Sequence, residues 1–195
     1  MLHYNIIQMS KLSTKYENPI DNILMKGVEL MSEPLHCMGV TPNMVTTASL
    51  VAGMGAAYTL NDHKYELSAL LTILAYFLDC ADGYMARKYE QTSNFGDWYD
   101  HISDVVKLLS LLFVMYKIDK RKFYQVVPFM IVASLLSFIH LGCQERVYGQ
   151  NESSTLAVTT KLCPGDPHKS IKYTRYIGCG TFTLVIVLST LYFKK

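Results

Sequence analysis

A chain of 195 residues is about one domain's worth, and half of it is hydrophobic while only 17% is charged. Its 18 Lys and Arg against 16 Asp and Glu leave a formal charge of +2, too mild to argue for a nucleic-acid partner. Mean hydropathy is only slightly positive, but the apolar residues gather in long blocks parted by charged connections, and that pattern points to a lipid bilayer rather than a soluble core.

Residues 1–40 form the first predicted unit, an N-terminal arm and a juxtamembrane helix. Met1–Tyr16 is polar and lacks clear periodicity. It has neither a charged segment followed by an apolar core nor a small-residue cleavage site, so no removable signal peptide is expected. The first span would then act as its own insertion signal. From Asn18 to Glu33, apolar Ile20, Ile23, Leu24 and Met31 recur at helical spacing, with Asp21, Lys26, Glu29 and Glu33 between them. That is an amphipathic helix, too short and too charged to span, and suited to the headgroup layer.

Residues 41–195 form the second unit, a transmembrane domain. Thr41-Pro42-Asn43 marks a helix entry, because threonine can cap free N–H groups and proline fits the first turn. Asn43 would lie at the mouth of the first span, within reach of a polar ligand. Five spans are expected, at Val45–Leu60, Tyr65–Ala86, Asp97–Lys117, Phe123–Gly142 and Tyr176–Phe193. Short polar turns at Asn61–Lys64 and Lys88–Phe95 make the first three antiparallel neighbours. The fold class is therefore all-α, a polytopic membrane helical bundle with an interfacial N-terminal helix.

The polar stretch Gln144–Arg175 is too rich in turn formers to span, with Pro164-Gly165-Asp166-Pro167 as its strongest turn signal. The five cysteines are odd in number, scattered and free of C-x-x-C pairs, so they are expected to be reduced packing residues.

The chemistry concentrates in one stretch. Asp79, Asp82, Gly83, Ala86 and Arg87 fall three or four residues apart, and after eight further residues Gly96, Asp100 and Asp104 do the same. On two helices such spacing lines up two carboxylate stripes that can face each other. Crowded carboxylates would repel and take up protons, whereas an oxygen-seeking divalent cation such as magnesium would hold them ionised. Ionisable groups at the ends of membrane-length segments are costly and mark function. Because one turn joins the two stretches, both halves meet on one side of the bilayer. A slight excess of Lys and Arg on that side places it in the cytosol, although the basic run Lys117–Lys122 pulls the other way. The glycosylation acceptor pattern Asn151-Glu152-Ser153 would then face the cytosol and stay bare.

The string D-x-x-D-G-x-x-A-R, eight residues, G-x-x-x-D-x-x-x-D closely resembles the signature of the CDP-alcohol phosphotransferase family, and every fixed position is filled. That family carries the motif across its second and third membrane helices after a surface-lying N-terminal helix, and usually has six spans. The resemblance thus implies a bundle of about five to six transmembrane helices, often paired as a homodimer. It also implies an integral membrane enzyme of phospholipid synthesis. Such an enzyme transfers a substituted phosphate from a CDP-linked lipid or aminoalcohol donor to an alcohol acceptor and releases CMP, using Mg²⁺ or Mn²⁺, usually two ions.

Carried over by position, Asp79, Asp82 and Asp100 would be metal ligands, and Asp104 a ligand or the general base. Gly83, Ala86 and Arg87, with Gly96 and Asn43 beside them, would receive the nucleotide. His101, His140, Gln144 and Arg146 are candidates for the acceptor end. The small size resembles the branch that uses CDP-diacylglycerol. Asp100-His101 followed by Asp104 resembles the D-H-x-x-D variant of the choline and ethanolamine phosphotransferases. An intramembrane prenyltransferase would need aspartate motifs far apart in sequence, and a cation carrier would need a polar path that Leu108–Met115 does not offer.

Overall fold

The computed structural model describes residues 15–148 and 156–194, all helix, turn or coil. Most of the N-terminal arm and the acceptor pattern at Asn151 lie outside the described residues. The helices are α1 (Pro19–Cys37), α2 (Pro42–Asn61), α3 (Tyr65–Lys88), α4 (Asn94–Ile118), α5 (Lys120–Tyr148), α6 (Pro167–Thr174) and α7 (Cys179–Tyr192). Short 3₁₀ turns, Leu156–Leu162 and Arg175–Ile177, flank α6.

Local chemistry fixes the helix starts. Asn18 caps α1 by accepting from the Ile20 N–H at 2.9 Å, and Thr41 caps α2 by accepting from Met44 N–H, with Pro19 and Pro42 in the first turns. Ser93 accepts from the Gly96 N–H at 3.0 Å and starts α4. The α2–α3 turn includes His63 at φ 59°, and the α3–α4 turn places Glu90 at φ 55°. The first connection makes α2 and α3 packed neighbours as expected, whereas α3 and α4 do not pack directly on each other: both pack against α2, which lies between them and lets only the longer side chains of α3 and α4 meet.

Packing then builds three buried clusters, the smallest of them Cys143, Cys163 and Ile171. Ala56, Ala57 and Leu60 of α2 meet Leu111 and Met115 of α4, Val126 and Met130 of α5, and Ile186 of α7 at the end of the bundle far from the aspartates. Val28 of α1 packs with Val45, Ala81, Tyr84 and Met85, which docks α1 across α3 near the motif. Elsewhere the apolar surface is open: Val51, Leu70, Leu109, Phe113, Phe129, Leu135 and Leu188 are exposed on the helix flanks. Such a surface suits contact with lipid.

Three features differ from the sequence reading. Among the described residues, three segments are long and apolar enough to cross a membrane by length and composition: Tyr65–Lys88, Lys120–Val147 and Pro167–Tyr192. The count is therefore lower than the expected five to six. The helices α2 and α4 have 20 and 25 residues, but α2 is diluted by small and hydroxyl side chains and α4 by Asp97, Asp100, Asp104 and Lys107.

Among the described residues, the polar stretch Gln144–Arg175 is largely helical. Its first residues extend α5, and Asp166 caps α6 by accepting from the His168 N–H at 3.0 Å. Cys143 and Cys163 form a disulfide that ties the end of α5 to the turn before α6, so the cysteines are not all reduced. Cys37, Cys80 and Cys179 are free.

Candidate active site

The site forms where the C-terminal half of α3 faces the N-terminal half of α4, with α2 as its floor. Helical spacing turns Asp79 and Asp82 of α3 toward Asp100 and Asp104 of α4. Carboxylate oxygens of Asp79, Asp100 and Asp104 lie within 4.8 Å of one another. Asp82 is 4% exposed, and Thr46 of α2 is its hydrogen-bond neighbour. Asp82 Oδ2 and Asp100 Oδ1 are buried and have no hydrogen-bond partner among the described residues. Buried acceptors left open are costly and call for a cation or donor. The donor set is all carboxylate oxygen, which fits a hard divalent ion such as Mg²⁺ or Mn²⁺.

Asp104 differs from its neighbours. Its side chain is half exposed, whereas that of Asp79 is one-fifth exposed. Lys107, one turn further along α4, reaches back between them: its Nζ lies 2.8 Å from Asp79 Oδ1, Asp104 Oδ1 and Ser49 Oγ. Lys107, Ser49 and Thr46 lie outside the sequence motif. The signal available was a lysine three residues after Asp104 inside an otherwise apolar run, a position that membrane cost alone would disfavour.

The nucleotide candidates lie towards the C-terminal end of α3 and in the first turns of α2 and α4. A Cβ on Gly83 would lie 3.3 Å from Arg87 Nη1, so the absent side chain lets the guanidinium fold back along α3. Arg87 Nε is buried without a partner among the described residues. A Cβ on Gly96 would meet Asn43 Oδ1 at 3.1 Å, so the mouth of α2 and the first turn of α4 touch there. Thr47 and Tyr99 share a hydrogen bond at 2.9 Å one turn deeper. Ala86 follows on the Gly83 face of α3.

The acceptor candidates do not form one group. His101 lies on α4 beside Asp100, with its ring 2.7 Å from the Asp97 carbonyl. His140 is buried against Thr174 at 3.1 Å, and Gln144 donates to Glu17 at 3.1 Å. Arg146 donates to the Cys163 carbonyl at 2.9 Å. The last three hold α5 to its surroundings at the motif-side end of the bundle.

Comparison with known proteins agrees with this arrangement. A family model described as CDP-alcohol phosphatidyltransferase matches residues 39–193. The chain belongs to the CDP-alcohol phosphatidyltransferase family, and with its apolar helices it is an integral membrane protein. Similar curated proteins include an archaetidylinositol phosphate synthase of Pyrococcus horikoshii, 28% identical over 54% of this chain and 52% of that protein. A CDP-diacylglycerol–serine O-phosphatidyltransferase of Helicobacter pylori is 30% identical over 37% of this chain and 31% of its own length. A CDP-diacylglycerol–glycerol-3-phosphate 3-phosphatidyltransferase of Rickettsia felis is 35% identical over 40% of this chain and 45% of its own length. The chain thus spans about half the length of these relatives, or less. No solved structure matches the chain.

Proposed function

We propose that this chain transfers a phosphatidyl group from a CDP-linked donor, CDP-diacylglycerol, to a polar alcohol and releases CMP. The observation that carries the reading is the convergence of Asp79, Asp100 and Asp104, together with the buried, open oxygens of Asp82 and Asp100 and the open donor of Arg87 on the same two helices. Relatives whose names specify CDP-diacylglycerol support that donor over a CDP-aminoalcohol.

Asp79, Asp82, Asp100 and Asp104 would hold Mg²⁺ or Mn²⁺. A divalent ion bound there would neutralise the diphosphate and stabilise the departing phosphate. Arg87 Nε–H would donate to a phosphate oxygen of the nucleotide, while Gly83, Ala86 and Gly96 leave room for its approach and Asn43 offers an amide at the mouth.

Asp104 is the carboxylate most open to water, so it can receive the proton of an incoming hydroxyl. The acceptor oxygen then bonds to the lipid-linked phosphorus, the bond from that phosphorus to the CMP oxygen breaks, and CMP leaves. His101 lies next in sequence to Asp100 and is the acceptor candidate nearest this chemistry. The domain reading follows: residues 1–40 supply α1, which lies in the headgroup layer with Ile23 and Leu30 exposed, and residues 41–195 form the transmembrane catalytic body. A homodimer is part of the same reading.

Two observations favour different orientations. The basic-residue bias supports a motif facing the cytosol. The Cys143–Cys163 disulfide lies at the same end of the bundle, and disulfides persist in oxidising compartments. Labelling of intact cells with a membrane-impermeant thiol reagent after reduction, together with glycan analysis at Asn151, separates them. A sugar at Asn151 would place the motif outside the cytosol.

The function is tested by incubating purified protein with Mg²⁺ or Mn²⁺, CDP-diacylglycerol or CDP-choline, and a panel of alcohols. CMP should appear only with CDP-diacylglycerol and a matching polar alcohol. CMP release from CDP-choline with diacylglycerol would move the chain to the aminoalcohol branch. Metal flux into proteoliposomes with no CMP from any donor would reject an enzyme.

A further inference from the structure

We propose that Lys107 is a resident cation of the carboxylate cluster, filling the place of one divalent ion, so that the cluster takes a single metal ion rather than a pair. This rests on the metal reading above and assigns the Asp79–Asp104 half of the cluster to Lys107.

The ammonium has three N–H donors, and three acceptors surround it at 2.8 Å: Asp79 Oδ1, Asp104 Oδ1 and Ser49 Oγ. Ser49 is itself oriented, because its hydroxyl donates to the Ala75 carbonyl at 2.8 Å and so turns a lone pair toward Lys107. The lysine stem has a prepared path. A Cβ on Gly53 would fall 2.5 Å from Lys107 Cγ and 2.7 Å from Cδ, so α2 leaves the space that the stem occupies. Two elements besides α4 are therefore shaped around this side chain, which distinguishes it from a lysine lying loosely over an acidic surface.

Charge placement points the same way. The oxygens that Lys107 occupies belong to Asp79 and Asp104, whereas the open buried oxygens belong to Asp82 and Asp100. One divalent ion can take the open side and share the remaining oxygens of the bridged pair. A second, placed at the bridged oxygens, would have to share them with an ammonium at hydrogen-bond distance, and like charges that close repel strongly in a partly buried site.

The test counts bound Mn²⁺ per chain by electron paramagnetic resonance on purified protein, without substrate. Wild type should hold a single tight Mn²⁺. Lys107→Met should hold two, because the bridged oxygens are released. Gly53→Ala keeps the charge but fills the path of the stem, and it should also gain a second Mn²⁺. The two variants reach the site from different helices, so misfolding of one leaves the other decisive.

Two tight ions in wild type, or a wild-type count in a folded variant, would overturn the role of Lys107 while leaving the cluster as a metal site. No tight Mn²⁺ in any of the three proteins would reject the metal site itself and this inference with it.

Discussion

Asp21 offers a test of how α1 is held to the bundle. Its carboxylate is only 9% exposed, accepts from the Tyr76 hydroxyl at 2.7 Å and takes the Gly180 N–H at the start of α7. A Cβ on Gly180 would lie 2.3 Å from Asp21 Oδ1, so the contact needs glycine there. Burial pushes the Asp21 carboxyl up from 3.8 to about 6, the two hydrogen bonds opposing this only in part.

The sign follows from proton binding. Between pH 4 and 6 the folded chain holds a proton that the unfolded chain has released, so this group's contribution falls as pH rises and stays low above pH 6. A shift of about two units corresponds to roughly 3 kcal/mol at neutral pH. Asp21→Asn removes the charge and keeps an acceptor. It should therefore raise stability by up to roughly 3 kcal/mol at pH 7.5, or roughly 6–12 °C in Tm for a chain of this size. Near pH 4 the gap should close. Thermal melts of both proteins in detergent from pH 4 to 8 read this difference. A gap that is constant with pH, or a variant less stable at pH 7.5, would refute the buried, proton-holding Asp21.

The contacts around α5 give two further predictions. A Cβ on Gly142 would lie 2.0 Å from the Thr159 carbonyl oxygen, so Gly142→Ala must push backbone apart and should cost about 1–3 kcal/mol in a thermal or chemical melt. An unchanged melt would show that α5 and the 3₁₀ turn are not in contact. The Cys143–Cys163 bond closes a loop of 20 residues in sequence separation, and Cys143→Ser should cost about 3 kcal/mol on chain-entropy grounds. Reductant should lower the wild-type Tm and leave the variant unmoved; equal sensitivity of both would contradict the pairing.

Where the chain states its structure locally, the sequence was a good guide. Thr41-Pro42 and Asn18-Pro19 carry their own capping chemistry, and the observed starts of α1 and α2 fall where those residues demand. The aspartate spacing likewise encodes a shared face, because helical periodicity alone decides which side chains can meet. In the sequence Asp166-Pro167 reads as part of a turn, although aspartate followed by proline is also a helix start, and α6 begins there.

Other features required the third dimension. Nothing in the spacing of Cys143 and Cys163 marks them as partners until α5 and the following turn are folded together. Ser49 and Gly53 look like ordinary small residues of a membrane helix, and their relation to Lys107 appears only when α2 packs on α4. The span count differs from the expected one for a physical reason: α2 and α4 spend part of their surface on the site, so length alone overstates their apolarity.

The central claim is that aspartates from α3 and α4 act together through divalent metal on a cytidine diphosphate donor. Its most direct test is CMP release from CDP-diacylglycerol and a matched alcohol, followed against Mn²⁺ concentration in wild type and in Asp100→Asn. The account predicts saturable, metal-dependent release by wild type and none measurable from a folded Asp100→Asn protein; release that ignores the metal, or that survives the substitution undiminished, would contradict it.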